Sequence, residues 1–217
     1  MEKSVDKVHS YTINGISLQT GDIICTTNGD DAFLAGEVWK LVGKLLPGDV
    51  DHIALYVGPD GRCVEAGPKK KVVTFNVQNN KWDSRLMGEE RNFYDTFYGV
   101  SRPLEKRNLS EDEEAKVRIS IANYCLDQAN AEKPYNMNFL DSENEETFYC
   151  SQLAYKAYQK HGVNLNTGIG IPSLPGTESI IVPQEIWSGF PTVKATPPAF
   201  LTRFLKYFYK IFNKSGE

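Results

Sequence analysis

Cysteine, histidine and a carboxylate are the side chains from which a nucleophilic site is most economically built, and this chain spaces them suggestively. Cys150 opens the stretch "YCSQLAYKAYQKHG", where apolar residues recur at Leu153, Ala154 and Ala157 with helical spacing. His161-Gly162 reads as its stop, so the thiol falls in or near the first turn. Free N–H groups and the positive dipole end at a helix start favour a thiolate. The plainer alternative is a cysteine packed as a small hydrophobe. A thiol nucleophile needs a base within hydrogen-bond reach, and the base needs a group to orient it.

The chain has three histidines. His9 lies in a polar stretch and reads as a solvated residue. His161 is three turns from Cys150 on the same helix, so it cannot fold back onto the thiol. His52 opens an alternating run, "HIALYV", and is either a base or a satisfied strand-edge residue. Glu65 lies between Val64 and Ala66 in a second run, "RCVEAG". A carboxylate there either faces solvent or is buried against a partner. Beside His52 it would hold one imidazole nitrogen and leave the other to take the Cys150 proton.

The elements that must carry these residues are legible in outline. Gly58-Pro59-Asp60-Gly61 separates the two runs and predicts a β-hairpin, with His52, Ala54 and Tyr56 on one face and Ile53, Leu55 and Val57 on the other. Further strands are expected at "GDIICTT", "VVTFNV" and "FYGVSRP", the charged "QNNKWDSRLMGEERN" connecting the last two. Ser110 with Glu113 predicts a capped helix running to about Ala129, broken before Pro134. "AFLAGEVWKLVGKLLPG" has helical periodicity, and "PQEIW" suggests a short helix starting near Pro183. The glycine- and proline-rich "NLNTGIGIPSLPGTESIIVP" is a long loop of the sort that walls a binding site. Strands in the first half with helices segregated around them predict an α+β fold.

The order "GDII", "HIALYVG", "RCVEAG" resembles the strand core of the NlpC-type papain-like cysteine peptidases. There the cysteine helix normally precedes the sheet. Here "FYCSQLAYKAY" follows it, which resembles the circularly permuted, YiiX-like branch, as does "KPYNMNF" upstream of the cysteine. The resemblance covers roughly residues 21–187. It implies an antiparallel sheet or barrel packed against the cysteine helix, catalysis by Cys150, His52 and Glu65, and hydrolysis of an amide or ester through an acyl-enzyme without metal or cofactor. Glu65 stands where many non-permuted relatives carry a second histidine. Substrate contacts are assigned to Tyr135, Tyr149 and Tyr56; Tyr135 is either a polar contact or a packing residue. The substrate implied is a small peptide amide, such as a cell-wall peptide, or a lipid-linked acyl compound. The alternatives are an acyltransferase of the lecithin-retinol acyltransferase type and a non-catalytic lipid- or peptide-binding module.

Composition bounds the rest. At 217 residues, 41% hydrophobic and 12% aromatic, the chain suits one folded domain over 1–217. A net charge of −4 does not suggest a nucleic-acid partner. Cys25, Cys63 and Cys125 form no C-x-x-C pair with Cys150 or one another and read as core residues rather than zinc ligands. No signal-peptide core and no run of roughly 18 apolar residues is visible, so the expected location is cytoplasmic or peripheral to a membrane. Residues 198–217 add a basic, aromatic helix. Arg203, Lys206, Lys210 and Lys214 share one side of it opposite Phe200, Phe204 and Phe208. It is either docked on the core or laid on an anionic lipid surface.

Overall fold

The computed structural model describes residues 2–27, 48–67, 69–92, 94–173 and 175–196. The helix expected around residues 32–48 falls almost wholly outside these residues, and the basic C-terminal helix entirely so.

Among the described residues the strands are β1 (Ser10–Ile13), β2 (Ile16–Gln19), β3 (Ile23–Thr27), β4 (His52–Tyr56), β5 (Arg62–Gly67), β6 (Lys71–Asn76), β7 (Thr96–Ser101) and β8 (Thr192–Lys194). The helices are α1 (Gly88–Arg91), α2 (Glu111–Asn130), α3 (Cys150–Gln159) and α4 (Pro183–Gly189). Six strands form one antiparallel sheet in the order β6-β5-β4-β3-β7-β8. The α+β expectation holds. The sheet is open, with β6 and β8 as its two edges, so the closed-barrel form of that expectation is corrected.

The sheet is buried on both faces. On one, α2 and α3 pack against Ile53, Leu55, Val64 and Ala66. On the other, Ala54, Tyr56 and Cys63 meet Phe75, Trp82 and the β1–β2 hairpin. The sequence of that hairpin, Thr12-Ile13-Asn14-Gly15-Ile16, carries a strong two-residue turn signal. Asn14 and Gly15 both take positive φ, 49° and 84°, as a tight two-residue turn requires. Together with β8 it extends the packed domain beyond the expected 21–187 core.

The β4–β5 hairpin turns at 58–61 as predicted. Gly61 has φ +75°, and a Cβ there would collide with the Val77 carbonyl, so glycine is required. Ladder pairing is confined to Leu55↔Val64 and Tyr56↔Cys63. Extending that register makes His52 and Glu65 diagonal neighbours on one face.

α2 begins at a reciprocal cap: Glu113 N–H donates to Ser110 Oγ, and Ser110 N–H donates to the Glu113 carboxylate. Cys125 lies on its buried side. Among the described residues no helix is long and apolar enough to cross a membrane.

Candidate active site

Cys150 is the first residue of α3. The helix is amphipathic, as its apolar spacing predicts, and buries Leu153, Ala154 and Ala157 against β4, β5 and α2. That docking fixes where its N-terminus lies. The start is held by Gln152: its carbonyl oxygen accepts from Tyr149 N–H at 3.2 Å and from Asn136 Nδ2 at 2.9 Å. Its amide nitrogen donates toward the carbonyls of Asp141 and Asn144. One side chain thus ties the helix start to the segment entering it. Cys150 is 4% exposed, enclosed but reachable.

His52 is delivered by the first position of β4 and is 6% exposed. Its Nε2 lies 2.8 Å from Glu65 Oε2. That leaves Nδ1 to the Cys150 thiol, with which the imidazole is also hydrogen-bonded. The three residues singled out from spacing are therefore brought together in the order Cys150, His52, Glu65. Burial disfavours the imidazolium, but Cys150 and Glu65 outweigh it and raise His52 from its ordinary value to about 10.

Glu65 is fully buried and does not face solvent. Burial would push its carboxyl up, yet Arg91 and His52 hold it below its usual range. Arg91 is the residue that sequence spacing did not supply. It ends α1, inside the charged connection between β6 and β7, and is also fully buried. Its Nε and Nη2 donate to the two Glu65 oxygens at 3.0 and 2.8 Å. Nη1 and Nη2 donate to the Asp95 oxygens, both at 2.8 Å. The guanidinium lies 4.6 Å from the Phe75 ring centre and 4.9 Å from that of Trp82. Trp82 Nε1 and Ser84 Oγ also donate to Asp95. Against the cost of burial, Arg91 and Ser84 lower the Asp95 carboxyl to about 2. A tryptophan set among charges in "QNNKWDSRLMGEERN" was the available signal, since an aromatic platform suits a stacked arginine.

The tyrosines divide. Tyr135 is half-buried near Cys150, and burial, with Cys150 and Tyr149 close by, pushes its hydroxyl well above the ordinary range. Tyr149 is buried, and its hydroxyl accepts from Ile181 N–H at 3.1 Å, anchoring the long loop after α3 to the helix start. Ser151 Oγ donates to the Ile181 carbonyl nearby. Along that loop, Thr167, Ile171, Thr177 and Ile180 help line a cavity of about 320 Å³. Tyr56 is not brought to the site. It is fully buried beside Tyr11 on the sheet face away from α3, where strand alternation directs it. His161 faces Ser120 of α2 at 3.0 Å, away from Cys150. Burial pushes the thiols of Cys25, Cys63 and Cys125 well above their ordinary values.

Chemically, the arrangement offers a thiol at a helix N-terminus, a base in contact with it, and a carboxylate kept anionic behind the base. The Cys150 N–H at the helix start is a donor suited to an oxyanion. Comparison with known protein families, curated proteins and solved structures finds no match to this chain.

Proposed function

We propose that the protein is a cysteine hydrolase of the permuted, NlpC-type papain-like kind, cleaving an amide or ester. The observation that carries the reading is His52, bonded to Glu65 on one side and to Cys150 on the other. The thiolate attacks the substrate carbonyl carbon, and the oxyanion is met by the helix-start N–H of Cys150. As the carbon–nitrogen or carbon–oxygen bond breaks, the His52 imidazolium gives its proton to the leaving amine or alcohol. Water then attacks the thioester while His52 takes its proton, and collapse of the tetrahedral intermediate breaks the carbon–sulfur bond, releasing the acid and restoring the thiolate–imidazolium pair. The acyl group is that of a small peptide or a lipid. Exposed Met137 and Leu140, on the segment leading to Cys150, supply apolar surface suited to either.

Limiting iodoacetamide followed by peptide mapping tests the nucleophile. Cys150 should be alkylated first, and Cys25, Cys63 and Cys125 only after unfolding, because burial holds those three as thiols. Intact mass after exposure to a panel of acyl amides and esters should then show an adduct on Cys150. Alkylation of all four thiols at one rate in the native protein would defeat the assignment.

A further inference from the structure

Arg91 is a buried cation that the chemistry above leaves without a role. An arginine this enclosed is costly unless its donors are met by carboxylates. Arg91 holds two, and one of them is the group bonded to the base. We propose that Arg91, backed by Asp95, is a positioning residue that draws on the charge of Glu65 and so limits how firmly Glu65 keeps a proton on His52. The proposal rests on the hydrolase reading of the site.

The two halves of such a reaction make opposite demands on His52. Before acylation, an imidazolium beside a thiolate is useful. After acylation the sulfur is an uncharged thioester, and the same imidazole must be unprotonated to accept a proton from water. A buried carboxylate bonded to His52 alone would hold the imidazolium in both states and stall the second half. Two donated bonds from Arg91 spread that negative charge and fix both Glu65 oxygens, so that Oε2 meets the ring in one orientation. Asp95 works in the other direction. It offsets part of the guanidinium charge, and its own carboxylate is attracted to His52.

The ionisable groups around His52 are Cys150 from α3 and Glu65 from β5, with Arg91 of α1 and Asp95 of the connection behind Glu65; Tyr135 lies close to Cys150, and the chain neighbour Asp51 is exposed. Removing the thiol isolates the carboxylate–arginine part. In a Cys150→Ala background, the His52 ring titration followed by NMR should move up by about one pH unit in Arg91→Met and down by a comparable amount in Asp95→Asn. Opposite signs are the diagnostic result, because loss of a purely structural contact gives no reason for them. Unchanged midpoints, or shifts of one sign, would overturn the proposal. Where Arg91→Met does not fold, Asp95→Asn decides alone: it keeps the amide in place of the carboxylate, and an unmoved His52 midpoint rejects the role. With Cys150 present, the acyl-enzyme of Arg91→Met should accumulate and need higher pH to hydrolyse. Opposed midpoints without any acylation would reject the hydrolase reading and keep the electrostatic one. Turnover with immobile midpoints would do the reverse.

Discussion

Among the described residues, two buried charge clusters, one around Arg118 and one around Arg91, are built to different ends. In one, Arg118 of α2 donates to Asp22 at 2.7 Å, to the Thr20 carbonyl at 2.9 Å and to Glu114 at 2.7 Å, clamping the helix to the turn before β3. The partners there are carboxylates, a guanidinium and backbone groups, none of which needs to exchange a proton near neutral pH. In the other, the chain of pairs runs from Asp95 through Arg91 and Glu65 and ends on an imidazole that touches a thiol. The first cluster closes on itself, whereas the second terminates in groups that can change protonation. An arginine–carboxylate pair is thus no sign of function by itself; what it leads to is.

Substitutions at the two ends should separate chemistry from stability. The largest effect is expected at the base: His52→Ala should lower acyl transfer to water by about 100- to 10,000-fold while leaving the fold intact. Glu65→Gln should be about tenfold to a hundredfold milder, since the nucleophile and oxyanion contact remain. Wild-type turnover in His52→Ala would erase the distinction between the clusters. At the other cluster, Arg118→Met should cost about 3–5 kcal/mol of stability in denaturant titration, as breaking a buried pair does, with kcat per folded molecule unchanged. A fall in kcat of the folded variant would mean that this cluster also reaches the site.

The smallest and most revealing difference concerns pH. Glu65 and Asp95 are lowered in the fold, so their contribution is present above their ordinary range and lost as pH falls below it, for Asp95 from about 4 to about 2. Asp22 has the opposite sign. Burial outweighs Arg118 and raises its carboxyl, so acid protonates the folded form first and favours it. Melting temperatures at low pH should therefore fall less steeply in Asp95→Asn and more steeply in Asp22→Asn. At the alkaline end His52, raised from 6.5 to about 10, adds stability that is complete below 6.5 and lost as pH rises through 10. His52→Ala should flatten that limb. Identical pH profiles for all three variants would show that the shifts do not govern stability.

Much of this site was legible because its residues obey local rules. The turn signal at 58–61 placed His52 and Glu65 on adjoining strands of a hairpin, and the apolar stripe of α3 placed Cys150 at a helix start. What was not legible depends on tertiary burial. Arg91 and Asp95 sit in a stretch whose composition reads as solvated connection, and nothing local shows that Trp82 and Phe75 enclose the guanidinium. Tyr56 shows the same limit from the other side. Its face was correctly inferred, but not that the β1–β2 hairpin would cover it. The open sheet likewise depends on how far the strands curl, which alternation does not encode.

The Gln152 latch has a consequence for motion. Because a single amide holds Tyr149, Asn136 and the carbonyls of Asp141 and Asn144, fraying of the helix start and lifting of the preceding segment are one cooperative event rather than two. Substrate cannot gain room by loosening residues 136–144 without also unseating the backbone that presents the sulfur. Cys150 is therefore held in a part of the fold that opens as a unit.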